Sequence, residues 1–152
     1  MSITREHILA EALTWEGTPY HHQACLKGVG VDCAMLLVGI ARDVGLLPAS
    51  WTPSVYSPEW HCHQKEELLV KTLRELGCVE LETLEAAQPG DIVAFRISTY
   101  RTLLPVAHVG VLLPGQQLLH AVMARAVVRH HIAARWQRDL ALAFAFPGVS
   151  HG

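Results

Sequence analysis

Charge is scarce in this sequence. Charged residues make up 17% of its 152 positions, below the roughly 25% usual for soluble chains. Neither sign dominates, since 12 Lys and Arg stand against 14 Asp and Glu, a formal net charge of −2. Nucleic acid and anionic membrane are therefore not expected partners, because both are held by a basic surface that displaces counterions. Long apolar runs are also missing: the C-terminal apolar stretches are broken by Arg125, Arg129 and Pro147, well short of the roughly 18 to 20 residues of a membrane span. The four cysteines, Cys25, Cys33, Cys62 and Cys78, include no C-x-x-C pair. A chain this long needs no disulfide scaffold. The start, Met1-Ser2-Ile3-Thr4-Arg5-Glu6-His7, lacks the basic-then-apolar pattern of a secretory signal, and the expectation is synthesis in a reducing cytoplasm without a signal peptide. There is no internal repeat and no low-complexity tract.

What is present is 51% apolar residues, enough to fill one hydrophobic core, and the whole of 1–152 reads as a single domain. Histidine is abundant. Ten of them would carry the formal charge from −2 to +8 if all were protonated. The N-terminal half reads as helical. Ile8, Leu9, Ala12 and Leu13 form a stripe after caps at Ser2 or Thr4, ended by Gly17-Thr18-Pro19. Cys33, Leu36, Leu37, Ile40, Ala41 and Val44 form a second stripe closed by Gly45. Ser57-Pro58-Glu59 announces a third helix, whose apolar positions are Leu68, Leu69, Thr72, Leu73 and Leu76. After Gly90 come short β-like runs: 91–97, 107–113, 118–123, 126–130 and 141–146. Helices followed by strands imply an α+β fold, with an antiparallel meander carrying the helices on one face.

Cys33 is the candidate nucleophile. It sits in the first turn of the second helix, where unpaired backbone N–H groups and the helix dipole favour a thiolate, and Gly28 and Gly30 upstream leave room for close approach. Cys25, Cys62 and Cys78 have no such setting and read as structural. A thiol also needs a base, and the base an orienting partner. His108 and His120 flank Pro114-Gly115. A three-residue loop 114–116 pairs Leu113 with Gln117, an index sum of 230, which places the two imidazoles on one face as diagonal neighbours. A four-residue loop would put them on opposite faces.

Five ordered segments resemble the motifs of NlpC/P60 cysteine peptidases: Trp15-Glu16-Gly17-Thr18-Pro19-Tyr20, Val31-Asp32-Cys33, Gln88-Pro89-Gly90-Asp91-Ile92-Val93, His108-Val109-Gly110-Val111 and Leu118-Leu119-His120-Ala121. His22-Gln23-Ala24, Lys27-Gly28-Val29-Gly30 and Tyr56-Ser57-Pro58-Glu59-Trp60 further resemble the phage and prophage tail-associated branch. The resemblance implies a papain-like α+β fold with Cys33 as nucleophile, His108 as general base, His120 as its orienting residue and Tyr20 as an oxyanion donor. It implies hydrolysis of peptidoglycan stem peptides, commonly at a γ-D-glutamyl to diamino-acid bond, and delivery to the cell wall with other phage tail proteins. The chemistry calls for no cofactor. Where many members follow the nucleophile with Ser-Gly, this chain has Ala34-Met35, a bulk expected to reshape the groove.

Among the remaining histidines, His22 is close enough to Tyr20 to line the site. His61-Cys62-His63 could hold zinc if extended, but lies at a helix start where i and i+2 diverge. His21-His22 and His130-His131 are adjacent pairs that point apart, and His7 and His151 are solvated. Trp51, Trp60 and Trp136 are either groove or core residues. An amidase or acyltransferase of the same thioester chemistry, a tail-tip structural subunit with a residual site, and a zinc module are the competing readings.

Overall fold

Thr4 begins the first helix. In the computed structural model, which describes residues 2–53, 68–99, 102–132 and 138–150, its Oγ1 accepts from the His7 N–H and the His7 Nδ1 accepts from the Thr4 N–H. This reciprocal cap satisfies donors that a helix start leaves open. The helix, α1 (Arg5–Leu13), buries Ile8 and Ala12. A short strand, β1 (Ile3–Thr4), precedes it, and the hairpin β2 (Cys25–Leu26) and β3 (Gly30–Val31) follows. The next helix, α2 (Cys33–Asp43), is buried at every position from Cys33 to Ala41. Gly39 lets it approach α1, because a Cβ there would stand 2.4 Å from the Trp15 ring. α3 (Leu68–Leu76) buries Leu69, Val70, Thr72, Leu73 and Leu76.

The second half builds the sheet. After β4 (Val79–Glu80) and a 3₁₀ turn at Leu84–Ala86 come β5 (Ile92–Thr99), β6 (Thr102–Leu113), β7 (Gln117–Ala121), β8 (Val127–His131), β9 (Leu140–Ala145) and β10 (Val149–Ser150). Six strands form one antiparallel sheet in the order β4-β9-β5-β6-β7-β8. The α+β expectation holds, and so do the five strand positions within two residues or so at most ends; β6 starts earlier, at Thr102. A plain meander does not. It runs from β5 to β8, but β9 returns to the far edge of β5. Residues Ile92 to Phe95 of β5 are all buried, so an apolar strand buried on both faces is kept off the sheet edge. β1 and β10 pair in parallel, Ile3 with Val149, tying the two ends of the described chain together.

Alternate residues of the strands divide between two apolar layers. Ile92, Ala94, Val109, Val111, Leu119, Ala121, Val127 and Phe144 join the three helices in the main core. Val93, Phe95, Leu118 and Ala143 form a smaller cluster on the other side with Leu84, Leu112 and Ile132. The helices thus share one face, as the patterning predicts. Trp51 packs against the main core and its carbonyl accepts from Arg42, a packing role rather than a groove role. Trp60, Trp136 and the helix start at Ser57 lie outside the described residues. Among the described residues no helix is long and apolar enough to cross a membrane.

Candidate active site

Asp32 sets the position of Cys33. Its Oδ1 accepts from the Met35 N–H at 2.8 Å, capping α2, and its Oδ2 accepts from the Gln23 N–H at 2.7 Å. One buried carboxylate therefore both starts the helix that carries Cys33 and pins the loop before it. His22 Nδ1 lies 3.7 Å from the same Oδ2. Tyr20 is joined to Val31 by a parallel bridge, and its hydroxyl feels the charges of Cys33 and Asp32. The loop that carries Tyr20 and His22 is thus gathered around the helix start, as the sequence reading places it.

Cys33 is 7% exposed. Backbone N–H groups of Val109, Ala34 and Cys33 itself point at its sulfur and favour the thiolate, but burial first and the Asp32 carboxylate second outweigh them and push the thiol up to about 12. The expectation of a lowered thiol pKa at the helix start is corrected here. The dipole is present, but removal of the sulfur from water is the larger effect. Burial also keeps the proton on Tyr20, whose pKa is raised by desolvation and then by the charges of Cys33 and Asp32.

The hairpin register is the predicted one. Leu113 pairs with Gln117 and Val111 with Leu119, which is the sum of 230. Gly115 and Gln116 both take positive φ in the three-residue loop. His108 Nε2 and His120 Nδ1 are 2.7 Å apart, with their ring planes at 70°. Gly110 makes room for this, because a Cβ on it would meet the Leu119 carbonyl oxygen at 2.8 Å and the His120 Cβ at 3.1 Å. The His-Val-Gly segment is thereby given a steric reason. Burial pulls His108 down to about 4, and burial followed by the neighbouring imidazoles pulls His120 down to about 3. Both rings stay neutral.

A third ring extends the pair. His120 Nε2 lies 2.9 Å from His130 Nδ1, with ring planes at 72°. His130 and His131 do diverge as adjacent strand residues must, but His130, which the sequence places only as one of a diverging pair, is joined to the site. It is exposed and bonded to the site at once. The signal for it was the β7–β8 register, in which His120 pairs with Val128 and Leu118 with His130.

Other expectations fall outside the site. Ala34 and Met35 are buried in the main core, so Met35 fills the space beneath α2 rather than the groove. Cys25 bonds to the Met35 carbonyl and Cys78 is buried, both structural. Asp91 is buried and held by Arg5 through Nε and Nη2 at 3.2 and 3.4 Å, so the Gln88-Pro89-Gly90-Asp91 segment joins α1 to β5. His61, Cys62 and His63 lie outside the described residues. Among the described residues no group of His, Cys, Asp and Glu could hold a metal ion.

Solved structures with this architecture were found. The chain aligns over 95% of its length with a lipoprotein-like NLP/P60 protein of Staphylococcus aureus (22% identity, TM-score 0.62). It aligns over 94% with the NlpC/p60 domain of the peptidoglycan hydrolase SagA (19%, 0.60) and over 96% with an NlpC/P60 protein of Bacillus cereus (15%, 0.63). The fold is that of NlpC/P60 domains. The match covers 99% of the SagA domain but 41% of each of the other two chains, so this chain is the length of the domain and spans less than half of those proteins. No family model matches the sequence, and no curated protein matches it. The NlpC/P60 likeness is therefore one of fold, and the chemistry rests on the residues above.

Proposed function

We propose that this chain is a cysteine peptidase that hydrolyses amide bonds in the peptide stems of peptidoglycan. The observation that carries the reading is the 2.7 Å contact between His108 Nε2 and His120 Nδ1, next in sequence to Val109, whose backbone N–H points at the sulfur of Cys33 in the first turn of a capped, buried helix. With Nε2 turned to His120, Nδ1 is the nitrogen that serves the thiol. Cys33 Sγ attacks the amide carbon while its proton passes to His108 Nδ1. Because the resting pair is neutral, transfer accompanies attack rather than preceding it. The oxyanion that forms is met by the Cys33 N–H and the Tyr20 hydroxyl, which keeps its proton for this purpose. As the C–N bond breaks, His108 gives its proton to the leaving amine. Water, deprotonated by His108, then attacks the thioester carbon, the C–S bond breaks and the sulfur regains a proton.

The bond proposed is the γ-D-glutamyl to diamino-acid link, and the proposed route to it is carriage within a phage tail. Support for both is the resemblance of the motifs, including the segment from His22 to Gly30. The test compares wild type with Cys33→Ala on peptidoglycan fragments, with products identified by mass. Wild type releases new amine and carboxyl termini at one bond and Cys33→Ala releases none. Cleavage that survives the substitution overturns the nucleophile assignment, and absence of cleavage by either protein overturns the reading as a peptidase.

A further inference from the structure

Three imidazoles in series have a property that two do not. Each neutral ring carries one N–H, so the contacts His108 Nε2 to His120 Nδ1 and His120 Nε2 to His130 Nδ1 need one donor proton each. When the three rings hold three protons, all can sit on Nε2, every bond points away from Cys33, and His108 Nδ1 keeps its lone pair. When they hold four, one ring is an imidazolium, and wherever that charge sits the bonds require a proton on His108 Nδ1. A fourth proton therefore always blocks the base. The position of its charge is decided by solvent: His120 is 1% exposed, whereas His130 is exposed at the outer strand of the sheet.

We propose that His130 is a positioning residue of this site, which takes up the positive charge of the three-histidine relay at its solvent end when His108 Nδ1 accepts the thiol proton, and which while uncharged accepts from His120 and so leaves the His108 Nδ1 lone pair turned to the thiol. The inference rests on the proposed peptidase function for its catalytic meaning, though not for its proton chemistry. During attack the Cys33 proton enters at His108 Nδ1, the His108 Nε2 proton passes to His120 Nδ1, and the His120 Nε2 proton passes to His130 Nδ1. The three transfers balance and leave the charge in water rather than in the core. Collapse of the intermediate reverses them, and the proton leaves with the amine. The same state forms when acid adds a proton to the resting relay, so His130 sets the acid limit of activity.

The surroundings leave His130 to this role. On its own strand Arg129 and His131 alternate to the opposite face, Arg129 paired with Glu16 at 2.9 Å. On β7 it stands beside His120 and opposite the apolar Leu118, and His108 on β6 is one ring further. Among the described residues, Val93, Phe95, Leu112 and Ile132 belong to the apolar cluster on that face. Among the described residues β8 has no strand beyond it.

The experiment uses the full chain with ¹⁵N-labelled histidine, read by imidazole NMR from pH 8 to pH 4.5, beside the pH dependence of kcat/KM on peptidoglycan fragments. In wild type His108 and His120 are Nε2–H at pH 8. Both turn to Nδ1–H as the charge appears on His130, and kcat/KM falls with the same midpoint. In His130→Asn the Oδ1 still accepts from His120 but takes no charge. The acid limb then moves at least one pH unit lower, while the plateau kcat falls about tenfold with KM little changed, the scale of lost outer-partner support. An acid limb left in place by His130→Asn, or His108 and His120 tautomers that do not change together with the acid limb, overturns the proposal. Coupled tautomers in a protein without Cys33-dependent cleavage would uphold the relay and overturn the peptidase reading instead.

Discussion

At Cys33 two opposing effects meet, and their sizes settle the resting state. Three backbone N–H groups favour the thiolate, yet burial and Asp32 hold the thiol at about 12 while burial holds His108 at about 4. Separated charges are disfavoured on both partners, so the resting pair is thiol and neutral imidazole. Iodoacetamide near pH 6 should accordingly modify Cys33 no faster than the half-buried Cys25, and the Cys33 rate should climb steadily as the pH rises to 9. Peptide mapping of a timed reaction measures this, and early selective labelling of Cys33 at pH 6 would instead reveal a preformed thiolate and imidazolium pair. Tyr20 is the second residue whose role is set by its surroundings. Tyr20→Phe removes one donor from the proposed oxyanion site and should lower kcat about 10- to 100-fold with KM within twofold, near the lower end of what one such donor supplies. An unchanged kcat would remove Tyr20 from the mechanism.

At the scale of elements, the β6–β7 hairpin does the positioning, and Gly110 is its narrowest point. Gly110→Ala drives a Cβ toward the Leu119 carbonyl. Backbone cannot swing aside as a side chain can, so the strands must separate locally. Loss of about 1 to 3 kcal/mol of stability is expected, as for other overpacked sites, with at least a 100-fold loss of kcat because the His108 to His120 contact lengthens. Urea unfolding and hydrolysis measure the two effects, and a variant that keeps both would show that the hairpin has slack. This hairpin was legible in the sequence because Pro114-Gly115-Gln116 fixes loop length and hence parity. The next one was not. Strands drawn to Met123 and from Ala126 pair those residues at an odd sum of 249, which sends His120 and His130 to opposite faces. The actual strands end at Ala121 and begin at Val127 with a sum of 248, and Ala124 turns the chain at positive φ without a glycine to announce it. One residue of register decides whether His130 shares a face with His120. The return of β9 to β5 was hidden for another reason, since alternation reveals which face is buried but not which neighbour covers an edge.

Across the whole molecule, the buried neutral groups make stability a function of pH with a defined sign on each side. Imidazoles in the unfolded chain take protons near 6.5, whereas folded His108 and His120 resist them down to about 4 and about 3. Between those limits the unfolded state binds more protons, so this contribution is complete above about 6.5 and is lost as the pH falls. Cys33 and Cys78 act in the other direction. Folded, they keep their protons to about 12, while unfolded thiols lose them near 9, so the folded state binds more protons in that window and stability falls as the pH rises through it. The protein should therefore show a plateau from about pH 6.5 to 9 and lose on the order of a few kcal/mol toward pH 4. Urea midpoints taken at half-unit steps of pH give the profile. The double variant Cys33→Ala, Cys78→Val should make the alkaline fall shallower, with Cys25 and Tyr20 still contributing to it, and leave the acid side as it is, because it removes two buried thiols and no imidazole. A wild-type midpoint at pH 5 equal to that at pH 7.5 would mean that the two inner rings accept protons in the folded state, and with them the charge that the fold otherwise leaves to the solvent-facing end of the sheet.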